Sequence, residues 1–162
     1  MVDDGSRYHE CTIRVRYQET DTMGVVYYAN HFAYFEVGRI EFLRAAGADY
    51  RRMEEEGFLA PVVEAQCRYL APAHFDDQLV IATRVSELRR ASFTFEYRIT
   101  RPSDGVLIAT GRTTHVCVSR DMRPVAVPQR VREAILAFSR PPTAPHGDGT
   151  PASEPLVPEE SS

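Results

Sequence analysis

Residues 17–47, YQETDTMGVVYYANHFAYFEVGRIEFLRAAG, decide the fold. The segment opens with an acid-rich turn, Glu19-Thr20-Asp21, and then Gly24, where a backbone without a Cβ bends freely. A short apolar run from Val25 to Tyr28 leads to Asn30, whose side-chain oxygen suits an N-cap. From His31 to Ala46 the apolar residues Phe32, Phe35, Ile40, Leu43 and Ala46 approximate helical spacing. Gly47 supplies a left-handed stop. Ala33, Val37 and Phe42 add apolar groups on other faces, which predicts a helix covered on most sides. A carboxylate, Asp21, therefore stands at the start of a covered helix.

Upstream, Tyr8 to Gln18 alternates, with Cys11, Ile13, Val15 and Tyr17 on one side, and predicts a strand with one wet face. Downstream, Asp49 to Glu56 reads as a short polar helix ended by Gly57, its glutamate run a solvated face. Strands follow at Ala60–Ala71, Leu79–Leu88, Ser92–Thr100 and Val106–Ser119, and Pro102-Ser103-Asp104-Gly105 is a hairpin turn by composition. Pro128 to Phe138 reads as a closing helix with proline in its first turn. The later strands succeed each other without crossover helices, so they are expected to be antiparallel. The class is α+β: a twisted five-stranded antiparallel sheet able to wrap one long helix.

At 162 residues the chain is expected to be one domain over 1–139, followed by a tail over 140–162. Six of the 11 prolines fall in that tail, which cannot bury enough apolar surface to offset its ordering entropy and is expected to be disordered. A net charge of −4 argues against a nucleic-acid partner, which would require a basic face. All 19 basic residues are arginine, which excludes a lysine Schiff base and a phosphate-loop lysine. The three cysteines, Cys11, Cys67 and Cys117, lack the spacing of a disulfide framework or a zinc site and are expected to be reduced thiols in the cytoplasm. No apolar run is long enough to cross a bilayer, and the acidic N-terminus lacks a signal-peptide apolar region.

The stretch Asp21-Thr22-Met23-Gly24-Val25-Val26-Tyr27-Tyr28-Ala29-Asn30 resembles the signature of the hotdog-fold acyl-CoA thioesterases of the 4-hydroxybenzoyl-CoA thioesterase type. The resemblance runs from about Tyr8 to Ser139 and is nearest to the short bacterial branch associated with the Tol-Pal system. It implies a hotdog domain that pairs its sheet edge to edge as a homodimer or homotetramer. It also implies an acyl-CoA substrate, with acyl carrier protein as a further candidate partner. Asp21 stands where the family has its catalytic carboxylate, and the backbone N–H near Tyr28 and Ala29 where it has its oxyanion donor. Arg89, Arg90 and Ser92 resemble the family segment that meets coenzyme A.

The residues themselves leave alternatives open. Asp21 by spacing alone is equally a turn or capping residue. As an ionised carboxylate it can attack a thioester carbonyl to give a mixed anhydride, or deprotonate a water. Tyr28 lines an acyl site or packs in the core. Asn30 is a helix cap or a substrate contact. His31 titrates near neutrality and suits proton transfer, or it points from the first helical turn to water. Arg89 and Arg90 can pair bidentately with phosphate, or form a solvated hairpin. Glu64 and Arg68 read as exposed strand positions.

A G-x-S-x-G elbow, a G-x-G-x-x-G turn and metal-ligand spacing are all missing, so neither a metal nor a redox cofactor is implied. The leading expectation is an acyl-CoA thioesterase with Asp21 as base or nucleophile. The alternative is a hotdog module that binds acyl-CoA or acyl carrier protein without turnover.

Overall fold

The computed structural model describes residues 6–141. The expected tail lies outside the described residues from position 142 onward. In chain order the elements are β1 (His9–Arg14), a 3-10 turn (Tyr17–Glu19), α1 (Asn30–Ala45), α2 (Tyr50–Glu55), β2 (Val62–Tyr69), β3 (Gln78–Leu88), β4 (Ser92–Arg101), β5 (Val106–Val116) and α3 (Gln129–Ser139). The strands form one sheet in the order β1-β3-β4-β5-β2, every neighbouring pair antiparallel. The α+β, five-stranded antiparallel expectation holds.

α1 lies across β1, β3 and β4. The side chains turned toward it, Ile81, Phe95, Tyr97 and Ile99, are fully buried. Phe35 stacks on Tyr97 with ring centroids 4.5 Å apart, and Phe42 meets Phe95 edge-on at 5.6 Å. Two glycines let helix and sheet approach this closely. A Cβ at Gly38 would lie 2.5 Å from Thr83 Oγ1, and one at Gly111 would lie 2.2 Å from the Phe35 ring. α3 closes one end of the core through Val131 and Ile135, and Phe138 touches Phe42 at 5.1 Å.

Three sequence expectations are corrected. β1 stops at Arg14 instead of running to Gln18. The chain turns there because the Arg16 amide donates to Glu19 Oε2 at 2.8 Å and closes a 3-10 turn. α1 is covered on one side only. Its buried positions are His31, Tyr34, Phe35, Gly38, Phe42 and Leu43, whereas Val37 is 40% exposed. Two polar residues and a glycine lie in that stripe, which an apolar count passes over. Third, Asn30 is not the cap. Ala29 holds the N-cap position with no side-chain bond, and Asn30 is the first helical residue.

β2 is an edge strand, and most of it is exposed, including Val62, Val63 and Tyr69. The sheet therefore has two distinguishable ends. The first carries the C-terminal ends of β1 and β2 and the start of β3. The second carries Val62, Leu88, Ser92 and Val116, with Ser92 opposite Val116 and Val62 opposite His115. β3 spans its 11 residues between them, a length of roughly 30 Å at the usual rise per residue.

Candidate active site

At the first end the loop between the 3-10 turn and α1 carries Asp21. The loop is tied to the body by the Val26 amide donating to Ala73 C=O at 2.8 Å and by a bridge between Val25 and His74. Within it, the Asp21 amide donates to Val25 C=O, the Gly24 amide donates to Asp21 C=O, and Asp21 Oδ1 accepts from the Met23 amide at 2.8 Å. Gly24 sits at φ +78°, which a Cβ would strain. Asp21 is half-buried, and its Oδ2 meets no hydrogen-bond donor among the described residues.

Two positions before it, Glu19 is a buried carboxylate. Its Oε2 accepts from the Arg16 amide and from the Tyr34 hydroxyl at 2.9 Å, and its Oε1 from the Arg16 guanidinium. Its backbone C=O accepts from the Tyr27 amide at 2.9 Å and from Asn30 Nδ2 at 2.8 Å. Glu19 thus ties β1's exit, the Asp21 loop and α1 together. Burial works against its charge, but these three donor groups, one of them the charged guanidinium, outweigh burial and hold its pKa below the ordinary value. Burial, and after it the bonded carboxylate, drives the Tyr34 phenol far above its usual range, so it stays a donor.

The start of α1 supplies the backbone groups. The amides of Asn30, His31 and Phe32 are taken up in turn bonds to Tyr27, Tyr28 and Ala29. The amides of Tyr28 and Ala29 donate to no acceptor among the described residues. The Tyr28 carbonyl is held by the His31 amide at 3.3 Å, His31 Nδ1 at 3.1 Å and the Tyr69 hydroxyl at 3.0 Å. Tyr28 C=O and Ala29 N–H belong to one planar peptide unit. Fixing the carbonyl therefore fixes the direction of that N–H. The positive end of the helix dipole adds to what these amides offer an anion.

His31 is buried, and burial keeps its pKa below 6.5 against the opposing pull of the Tyr28 and Tyr27 carbonyls. A carbonyl only accepts, so Nδ1 carries the proton and Nε2 is left as an acceptor. Its ring meets Tyr69 edge-on at 4.9 Å. The Tyr28 ring is 59% exposed and packs on Tyr27 at 4.7 Å. Hydrogen bonding with Tyr28, and least of its causes the nearby Asp21 charge, raises the Tyr27 phenol.

Arg89, Arg90 and Ser92 lie at the other end of the sheet, so one protomer does not bring them to Asp21. Arg89 pairs with Glu87 at 3.0 Å, and both arginines are exposed. Ser92 opens β4, its C=O accepting from the Arg89 amide at 2.8 Å. Beside them is a cavity of about 170 Å³, walled by Ile40, Leu43, Phe93 and Phe95, with Glu36, Arg39, Tyr50 and His115 adding polar groups. Glu64 is exposed and accepts from Gln66, and Arg68 is exposed as expected. Among the described residues no cluster of His, Cys, Asp or Glu could hold a metal ion, and no helix is long and apolar enough to cross a membrane.

Reading the sequence missed Glu19, Tyr34 and Tyr69. Glu19 was visible only as part of an acid turn. The Tyr69 contact joins residues 41 apart in the chain, which no local pattern signals.

The thioesterase-like superfamily profile matches residues 15–135. The chain is 36% identical over 136 residues to the acyl-CoA thioesterase YbgC of Haemophilus influenzae, covering 83% of this chain and 97% of that protein. Among solved structures it is similar to a protein from Thermus thermophilus, 38% identical with a TM-score of 0.76, covering 80% and 98% of the two chains. It is also similar to a DHNA-CoA thioesterase from Staphylococcus aureus, 29% identical with a TM-score of 0.77, covering 80% and 89%.

Proposed function

The chain belongs to the thioesterase-like superfamily, and on that premise we propose that it is an acyl-CoA thioesterase in which Asp21 drives hydrolysis. One observation carries the reading. A half-buried carboxylate stands in the loop that leads into a peptide unit locked by three donors, and among the described residues its second oxygen meets no donor and the Tyr28 and Ala29 amides meet no acceptor.

The thioester carbonyl oxygen is placed at the Ala29 N–H, with Tyr28 N–H beside it, where developing negative charge meets fixed donors. Losing one such donor typically costs about 2.7–4 kcal/mol of barrier. Asp21 either takes a proton from a water that attacks the carbonyl carbon, or attacks it directly and is released by water. In both routes water supplies the hydroxyl of the carboxylic acid product, and the sulfur leaves as the coenzyme A thiol. Neutral His31 and Tyr69 hold the peptide unit. Asn30, through Glu19 C=O, holds the loop.

The substrate's remaining contacts come from a second copy. Two β2 edges pairing antiparallel about Ala65 and Gln66 set Tyr69 of one copy opposite Val62 of the other. That pairing covers an exposed apolar edge, which unpaired would be an aggregation liability. It brings the partner's Arg89, Arg90 and Ser92, and the apolar walls of its 170 Å³ cavity, toward Asp21. The arginines suit the phosphates of coenzyme A, and the cavity suits the acyl group. The assembly is a homodimer or a tetramer of two such dimers. The Asp21–Asn30 signature supports the 4-hydroxybenzoyl-CoA type and its Tol-Pal-associated branch, and an acyl carrier protein thioester is a second candidate substrate. The three unpaired cysteines fit a reducing cytoplasm.

Thiol release from a panel of acyl-CoAs, compared between wild type and Asp21→Asn, tests the reading. The variant is expected to lose roughly a hundredfold or more in kcat, in line with removal of a general base. Turnover at a near-normal rate in the variant would eliminate the mechanism. Acyl-CoA binding without thiol release in the wild type would make the protein a binding module.

A further inference from the structure

On the sheet face turned away from α1 lies a groove of about 710 Å³, a size within the range of small-molecule sites. Strand register builds it. One cross-strand row places Arg84, Glu96, Arg112 and Gln66 side by side, and the next places Ala82, Arg98, Thr110 and Arg68. Alternation along each strand points both rows opposite to Ile81 and Tyr97, which face the helix. Among the described residues, four arginines and one carboxylate line the groove, in a chain whose net charge is −4.

Two of these arginines, Arg84 and Arg112, are held by the fold. The Arg84 side chain is 7% exposed. Its Nε and Nη2 donate to Glu96 at 3.0 and 2.8 Å, and its guanidinium lies over the Tyr8 ring at 5.0 Å. Arg112 Nη2 donates to Glu87 at 2.9 Å, but its Nε is buried and meets no acceptor among the described residues. Arg68 and Arg98 have no carboxylate in ion-pair range among the described residues. Among the described residues the groove therefore holds one buried donor without an acceptor and two cations without a carboxylate partner.

We propose that this groove binds a phosphate-bearing ligand of nucleotide size. Guanidinium forks match phosphate oxygens bidentately, and their planes stack on a heteroaromatic base. Thr110 and Gln66 add neutral partners for a sugar or base. The phosphates have two available sources, the nucleotide end of coenzyme A and a free nucleotide. The site lies across the sheet from α1, so it is separate from the Asp21 loop of its own protomer, and it does not depend on the thioesterase reading.

Isothermal titration of the full chain with coenzyme A, ADP, inorganic phosphate and pantetheine tests it, using wild type, Asp21→Asn, Arg89→Gln/Arg90→Gln and the double variant Arg68→Gln/Arg98→Gln. Both arginines are exposed, so circular dichroism is expected to show the double variant folded. ADP and coenzyme A are expected to bind the wild type; the double variant is expected to bind ADP about tenfold more weakly or worse, and to lose the coenzyme A binding that survives in Arg89→Gln/Arg90→Gln. Pantetheine, which lacks the phosphates, is expected to be indifferent to the arginine substitutions. Asp21→Asn is expected to leave ADP affinity unchanged. Comparable ADP and coenzyme A affinities identify a general nucleotide site, and coenzyme A binding alone identifies the coenzyme. Unchanged affinity in the double variant would overturn the proposal, as would absence of ADP and coenzyme A binding. So would dissociation of the assembly by the double variant in sedimentation, which would give the face to a second copy.

Discussion

Replacing Glu19 is the sharpest test of how the Asp21 loop is held. In Glu19→Ala the Tyr34 hydroxyl and the Arg16 amide lose their shared acceptor, Oε2, within an enclosed site. A buried donor left unmet costs about 1–3 kcal/mol. The Arg16 guanidinium is 67% exposed, so its loss adds under about 1 kcal/mol. The sum is about 2–7 kcal/mol, which for a domain of this size lowers Tm by roughly 4–28 °C. In Glu19→Gln the amide oxygen can keep Oε2's place while the NH2 turns to the exposed guanidinium, so only about 1 kcal/mol is lost. Thermal unfolding by circular dichroism reads both. A pH series separates charge from shape. The native Glu19 pKa lies below the ordinary value of 4.5, so its stabilisation is present above that value and is lost as pH falls through the native pKa. The gap between wild type and Glu19→Gln is therefore expected to close in acid. An Ala variant that melts within a degree or two of wild type would refute the role of this carboxylate, and a wild-type-to-Gln gap unchanged from pH 7 to pH 3 would refute the role of its charge. Folded Glu19→Gln is also expected to lose kcat/KM, since its backbone is two residues from Asp21.

Tyr69→Phe removes one of the bonds on the Tyr28 carbonyl while His31 remains, so thiol release is expected to fall about two- to tenfold in kcat, with Tm changed by little. His115 is buried against the Ala60 carbonyl and Thr113, and burial pushes its pKa down to about 4. The native state therefore favours the neutral ring, whose stabilisation is present above about pH 6.5 and is lost as pH falls toward 4. A shift of this size amounts to about 3 kcal/mol, and His115→Phe is expected to flatten that slope in a Tm-against-pH series. Val63→Asp places a charge on the exposed β2 edge, where Val63 is 60% exposed. Sedimentation is expected to show monomer, with the fold kept and thiol release lost, and an active monomer would remove the need for a second copy.

How much of this was legible in the sequence follows the range of the interactions. β4 was legible because its alternation is a property of neighbouring residues, and Phe93, Phe95, Tyr97 and Ile99 are buried as the period requires. The Asp21 loop was legible through its glycine and its place before a helix. The buried stripe of α1 was misjudged because His31 and Tyr34 are buried by virtue of partners elsewhere, the Tyr28 carbonyl and Glu19. Asn30 reads as a cap wherever it precedes a helix, and only the position of Glu19 C=O turns its side chain to a different bond.

The separation of Arg89 and Arg90 from Asp21 has the same origin and a larger consequence. A motif found in sequence carries no distance, and the length of β3 puts its two ends on opposite sides of the protomer. Asp21, the Ala29 amide and the tyrosines that hold it can be complete within one chain, since every bond that fixes them is internal. On the proposed reading, the phosphate-binding and acyl-enclosing parts reach them only from a partner, chemistry and recognition are divided between the two ends of one sheet, and the proposed antiparallel pairing of β2 edges joins unlike ends twice. On this account a heterodimer of Asp21→Asn with an Arg89→Gln/Arg90→Gln chain keeps one intact site, built from the Asp21 of the arginine-deficient chain and the arginines of the other. Mixing the two inactive homodimers is expected to restore about a quarter of wild-type turnover, half of the sites in the half of the dimers that are mixed under random exchange. Failure to restore any activity after proven exchange would place both groups in the same protomer's site and undo the division.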